Sequence, residues 1–154
     1  MSWLRLASAS GSRRHANPAP VLEGMDVYDM RKEQCSGGWQ SVIDTAADKT
    51  IIPVAAAERL GLSGSVGTEV LLVGPDGKQL TDQHGRPVKA PSIYVKLFQS
   101  DIGDVQVQAA CLPRTTVLLG RDILKDFIFL FDGPGLRFKI SRELTQLGDL
   151  DASV

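Results

Sequence analysis

The sequence predicts an all-β chain, a small barrel or sandwich of short strands with one or two short helices. Three observations predict it. Apolar residues alternate with polar ones in several runs, most regularly over 92–99 and 105–109. Turns containing Gly and Pro punctuate these runs at short intervals. The stretches with helical character, 54–60 and 121–127, are brief. A chain of 154 residues suits one domain with tails, and an apolar share of 43% is enough to build its core.

In chain order, residues 1–20 are rich in Ser, Ala and Arg and hold no acid. They fit either a flexible basic tail or a transit peptide. The domain is expected over 21–142. Val21-Leu22 and Val27-Tyr28 read as short strands, Ser36-Gly37-Gly38 as a turn, and 39–43 as a strand running into Asp44. Residues 50–53 form a second short strand, and Pro53 is suited to open the helix 54–60, which Gly61 closes. Residues 68–73 read as a strand, and 74–77 as a turn whose Pro presets φ and whose Gly supplies a positive one. The polar stretch 80–90 is expected as an exposed hairpin or loop. Residues 92–99 and 105–109 form a hairpin, 115–119 a strand, and 121–127 one or two helical turns. Residues 129–132 and 136–140 flank Gly133-Pro134-Gly135 as a last hairpin. The acidic stretch 143–154 is expected to fray.

Composition excludes several functions. With 17 basic and 18 acidic residues the net charge is -1, which leaves no electrostatic footprint for nucleic acid. No apolar run approaches the roughly 20 residues of a membrane-spanning helix. Two cysteines, Cys35 and Cys111, lack the spacing of a zinc site, and His15 and His84 lie in polar, turn-like surroundings. No metal and no cofactor is expected. The thiols are read as reduced and partly buried, with one disulfide as the alternative. A soluble, cytoplasmic protein is expected, with an N-terminal targeting peptide as the alternative.

Two segments carry chemistry. One is Val42-Ile43-Asp44-Thr45-Ala46-Ala47-Asp48, followed by Lys49-Thr50-Ile51-Ile52-Pro53. The other is Val117-Leu118-Leu119-Gly120-Arg121-Asp122-Ile123-Leu124. A strand ending in small residues and carboxylates is a plausible active-site loop. Together the two segments resemble the retropepsin-like aspartic proteases of bacteria and retroviruses. That family has an apolar-apolar-Asp-Thr/Ser-Gly-Ala motif early in the domain and an apolar-apolar-Gly-Arg-Asp/Asn motif before a late helix. The resemblance extends over 38–140.

The resemblance implies a retropepsin-like barrel, active as a symmetric homodimer, that hydrolyses peptide bonds. It implies Asp44 as the catalytic aspartate and Thr45 as the hydroxyl residue that locks two active-site loops together across the dimer. Ala47 is then the small residue beside the site, and Asp48 a loop acid paired with a buried Arg121. Gly120 and Asp122 complete the supporting motif, and the stretch 80–90 falls where the family keeps its flap. Asp122 at the start of a helix also suits the helix dipole. The reaction needs two carboxylates sharing one proton, and the aspartic-protease dyad is the established example of such coupling. The chain has one Asp-Thr-small motif, so a two-lobed, self-sufficient enzyme is disfavoured and each copy of a homodimer supplies one Asp44. The partners implied are a second copy and a peptide or protein substrate.

Ala46 departs from the pattern, standing where the family has glycine. At a positive φ the methyl would cost on the order of 1 kcal/mol, and at a negative φ little. The departure supports an alternative, a catalytically weak or inactive module of the same fold that dimerises or binds peptides.

Overall fold

A computed structural model describes residues 3–7, 19–62, 69–71 and 77–143. The elements run in the order β1 (Leu4–Arg5), β2 (Val21–Tyr28), β3 (Cys35–Ile43), β4 (Ile51–Pro53), α1 (Val54–Arg59), β5 (Glu69–Leu71), β6 (Lys89–Gln99), β7 (Gly103–Leu112), β8 (Val117–Leu119), α2 (Arg121–Leu124), β9 (Ile128–Asp132) and β10 (Arg137–Ser141). Neighbours in the larger sheet are β2-β3-β8-β4-β7-β6, and β6 pairs back onto β2. The sheet thus closes into a six-stranded barrel, and β5 pairs with the first residues of β6. A second sheet, β1-β10-β9, lies beside it. The expected all-β class with two short helices is what forms.

The β6–β7 hairpin is the longest ladder, with eight paired positions from Ser92↔Ala110 to Gln99↔Gly103. Its sequence explains it: Ile93, Val95 and Leu97 are buried while Tyr94 and Phe98 face solvent. Val107 and Ala109 answer from β7 on the same inner face. Met25, Val27, Ile43, Ile52, Val117 and Leu119 belong to the barrel core, with Ala56 and Ala57 of α1 and Leu60, which caps its C-terminus. The helix needs small residues to come this close. Gly61, with φ +72, turns the chain away, and the Gly61 and Leu62 N–H groups donate to Glu58 and Ala57.

The β2–β3 region differs from the sequence expectation. β2 is one strand of eight residues rather than two short pieces, and β3 runs straight through Ser36-Gly37-Gly38. The turn lies earlier, where the Asp29 carboxylate accepts the Glu33 N–H at 2.7 Å and Lys32 donates to the Asp29 carbonyl. The glycines have another purpose. A Cβ at Gly37 would sit 2.7 Å from the Asp26 carboxylate, which also accepts the Gly38 N–H at 3.3 Å. They give Asp26 room against its partner strand, where the register shifts through irregular steps.

Other expectations meet the structure more directly. Residues 81 and 87 bridge a small exposed turn in which Asp82 accepts the His84 and Arg86 N–H groups. The turn expected at 74–77 lies largely outside the described residues, as do 8–18 and 144–154. Within the stretch read as a basic tail, Leu4 and Arg5 pair with Phe138 and Arg137 of β10. The pairing buries a hydrophobic edge: Trp3 packs under the Arg137 guanidinium at 4.3 Å and the Lys139 ammonium at 4.7 Å. Both cysteines are free; Cys111 is buried, but Cys35 is exposed rather than partly buried. The disulfide alternative therefore falls. Burial raises the pKa of the Cys111 thiol and keeps it protonated.

The last hairpin packs onto the barrel core through Phe138 and Ile140. Phe138 is fully buried, belongs to the barrel core, and stacks on Phe129 at 5.8 Å between ring centres. Phe138→Ala is expected to cost about 3–5 kcal/mol, whereas the outward-facing neighbour in Phe131→Ala costs less than about 1 kcal/mol. Urea unfolding compares the two, and equal losses would contradict this packing.

The turn of the same hairpin carries a pH dependence. Arg137, by its hydrogen bond, and then the Gly135 N–H hold the Asp132 carboxyl below the ordinary carboxylate range. The folded value thus lies under the unfolded one of about 3.9. The stabilisation is complete above that unfolded value and is lost as pH falls through the lower folded one. Between about pH 5 and pH 2 the parent should lose more stability than Asp132→Asn. Parallel curves would remove Asp132 from the acid response.

Candidate active site

β3 and β8 run parallel, with Ser41↔Val117, Val42↔Leu118 and Ile43↔Leu119 in register. Asp44 and Gly120 therefore leave the barrel at the same level. The Asp44 N–H still donates to the Leu119 carbonyl at 3.0 Å, so the residue is held by the last rung of the ladder. Its side chain is half-buried, and Oδ1 accepts the Ala46 N–H at 3.0 Å. The Ala47 N–H donates to the Asp44 carbonyl at 3.2 Å, which closes a tight turn with Thr45 and Ala46 exposed at its tip. Thr45 makes no side-chain hydrogen bond among the described residues. Ala46 is not among the residues with positive φ, so its methyl carries no left-handed strain.

The turn is braced from below. Arg121 N–H donates to the Ala47 carbonyl at 2.8 Å and Asp122 N–H to the Asp48 carbonyl at 3.3 Å. Gly120 has to be glycine: a Cβ there would lie 2.5 Å and 2.6 Å from the carbonyl carbon and oxygen of Lys49. The brace centres on Thr50, which is fully buried. Its N–H and hydroxyl donate to the two oxygens of Asp122 at 2.9 Å and 2.7 Å, and the hydroxyl oxygen accepts the Gly120 N–H at 3.2 Å. Asp122 also accepts the Ile123 N–H at 2.9 Å, within the first turn of α2.

The residues singled out from the sequence, Asp44, Thr45, Ala46, Ala47, Asp48, Gly120, Arg121 and Asp122, thus form two facing loops. Two details differ from expectation. The Asp48 carboxylate and Arg121 guanidinium do pair, but at the surface, with side chains 71% and 57% exposed rather than buried. The pair sits on the outer side of the turn, where Arg121 opens α2 towards solvent. An exposed ion pair contributes about 0–1 kcal/mol, so it steadies the loop rather than holding it. Asp122 does more than suit the dipole, because it is the acceptor for Thr50.

Two residues were missed by the sequence reading. Thr50 was read only as the start of a strand, although a hydroxyl residue six places beyond Asp44 was visible. Arg114 gave no signal, being one arginine in a turn. It is half-buried, and its Nε and Nη2 donate to the carbonyl and hydroxyl of Thr116 at 3.3 Å and 3.4 Å. Burial lowers the pKa of its guanidinium from the ordinary value, and the charge of Asp44 acts in the opposite sense. Among the described residues no group of three or more His, Cys, Asp or Glu is placed to hold a metal ion.

Solved structures similar to this chain include retroviral and foamy viral proteases. The EIAV protease complexed with the inhibitor HBY-793 matches with 19% identity and a TM-score of 0.44, over 75% of this chain and 93% of that one. The simian foamy virus (mac) protease in solution matches with 14% identity and a TM-score of 0.44, over 66% of this chain and 91% of its own. The foamy viral protease-reverse transcriptase in complex with an RNA/DNA hybrid matches with 15% identity and a TM-score of 0.42, over 68% of this chain and 12% of that longer one. No family model matches the chain. No curated protein matches it.

The brace sets a measurable expectation. Thr50→Val keeps the shape but removes the hydroxyl, leaving an Asp122 oxygen and the Gly120 N–H each short of a partner. A loss of about 1–3 kcal/mol is expected. Asp48→Ala, which breaks only the exposed pair, is expected to cost less than about 1 kcal/mol. Thermal or urea unfolding orders the two, and the reverse order would refute this account of the brace.

Proposed function

We propose that the chain is one half of an aspartic endopeptidase, and that two copies pair so that each contributes one Asp44. The observation that carries this reading is the state of Asp44. It is a half-buried carboxylate at the end of a barrel strand, bonded by the Ala46 N–H and without an ion-pair partner among the described residues, on a turn braced from below by Thr50 and Asp122. A carboxylate kept only for stability would be expected either in water or against a cation.

In the dimer the two Asp44 side chains share one proton, because like charges that close do not both ionise. The ionised one takes a proton from a water, and that water attacks the scissile carbonyl. The protonated one donates to the carbonyl oxygen, and the proton then passes to the leaving amine. The exposed Thr45 hydroxyls are suited to bond the opposite loop across the twofold axis, since each makes no side-chain hydrogen bond among the described residues of its own chain. Asp48, Gly120, Arg121 and Asp122 support the turn, and the exposed segment around residues 81–87 lies over an extended peptide bound through its main chain.

Ala46 is compatible with this chemistry. It supplies the same N–H to Asp44 that glycine would supply, and its φ costs nothing. That weakens the case for an inactive module built on the same substitution, which nonetheless makes an opposite prediction. On the peptidase reading a diverse peptide library is cut between about pH 4 and 7. Cleavage disappears in Asp44→Asn, and Ala46→Gly changes the rate by less than about tenfold. A dimeric parent that cuts nothing, together with an equally inert Ala46→Gly, would sink the peptidase and leave the binding module.

A further inference from the structure

The small sheet brings two arginines face to face. In the β1–β10 ladder Arg5 stands directly opposite Arg137, and opposed residues of an antiparallel pair point to the same side of the sheet. Like charges placed in this way repel each other. Asp132, opposite Arg137 on the β9 side, supplies one carboxylate. It already takes the Arg137 Nε–H at 2.7 Å and the Gly135 N–H at 3.0 Å. Arg5 is exposed and has no carboxylate partner among the described residues. Trp3, Arg5, Gly135 and Arg137 line a cavity of about 310 Å³, a volume at the lower end of the range for small-molecule sites. The side-chain polar groups of its wall are all donors. Neither guanidinium has an acceptor atom, and the Trp3 indole N–H, shut off from solvent, has no acceptor among the described residues. A guanidinium takes a carboxylate or a phosphate through two parallel bonds, and the indole offers an apolar surface beside it.

We propose that this cavity binds a small organic anion, with its carboxylate or phosphate between the Arg5 and Arg137 guanidiniums and its apolar part against Trp3. The anion relieves the repulsion between the opposed arginines, so its binding also fastens β1 to β10. The site shares no residue with the loops around Asp44, and it stands or falls independently of the peptidase reading. The competing reading is a pair of arginines kept apart by water alone. It differs in consequence: water-separated arginines have no saturable site and no preference for a charged ligand over a neutral one of the same shape.

The test titrates the full chain with phenyl phosphate, benzoate and neutral phenol at neutral pH and constant ionic strength, so that general screening stays fixed. The indole N–H signals in NMR give a local readout. The chain has two tryptophans, and the Trp39 N–H serves as the control because it is held by the Ser36 hydroxyl at 2.9 Å. The Trp3 signal is expected to move and saturate with the anions while the Trp39 signal stays still. The tighter of phenyl phosphate and benzoate identifies the oxyanion. Phenol binds at least about tenfold more weakly, as the loss of a charged hydrogen bond implies, and Arg5→Gln weakens the preferred anion by a similar factor. In buffer free of these ligands Arg5→Gln should unfold at no lower urea concentration than the parent, since it removes one of two opposed charges. With the preferred anion added the parent should gain more stability than the variant. Four results overturn the site: no saturable movement of the Trp3 signal, equal movement of both indole signals, phenol binding as tightly as the anions, or unchanged affinity in Arg5→Gln. A clear loss of stability in ligand-free Arg5→Gln also overturns it, because Arg5 would then be satisfied within its own chain.

Discussion

The candidate site depends on one buried hydroxyl. Thr50 joins two pieces of chain that are far apart in sequence: it donates twice to Asp122 and accepts from Gly120. Without it, the loop after β3 and the start of α2 would meet only through an exposed ion pair and two backbone bonds. Inside a protein a polar group without a partner is costly, so a buried network of this kind is stable only when every member is satisfied. Here each is. The Asp122 oxygens take two donors from Thr50 and one from Ile123, and the Gly120 N–H finds the same hydroxyl.

That brace explains why the barrel is closed as it is. β3 and β8 are parallel neighbours, and parallel strands cannot be joined by a tight turn. The chain has to travel through β4, α1 and the long β6–β7 hairpin before β8 can be laid beside β3. The hairpin folds locally, since its ladder joins consecutive strands. The β3–β8 pairing is paid for in loop closure and recovered through the clamp and the apolar core behind it. The position of Asp44 is thus a consequence of long-range order, held at the seam where the last backbone rung and the first side-chain bond coincide.

The sequence was legible where the physics is local. Alternation located β6 and β7, because each residue reports its own face of the sheet. Gly133-Pro134-Gly135 located the final hairpin, and Pro53 with Gly61 framed α1. The misreading at Gly37 and Gly38 has a clear cause. Glycine marks a turn and a bulged strand equally well, and what decides between them is Asp26 on the neighbouring strand. Asp44 was legible through its motif, but the means of holding it was not. Thr50 and Asp122 are 72 positions apart, and no local propensity links them. Arg114 was silent for another reason: its bonds to Thr116 are local, and a half-buried arginine in a turn reads in sequence like an exposed one.

The substitution at position 46 shows how such a motif tolerates change. Glycine is required where φ is positive or where a Cβ would strike backbone. Gly120 meets the second condition, with Lys49 at 2.5 Å from where its Cβ would be. Ala46 meets neither on the evidence of its own chain: its φ lies outside the left-handed region and the residue is exposed. What the proposed chemistry asks of position 46 is an N–H aimed at the carboxylate, and alanine has one. The methyl instead points the question outward, to whatever approaches the exposed tip of the turn. On the homodimer reading that is the equivalent turn of the second copy, so a steric cost at this position would fall on association before it fell on the hydrolytic step.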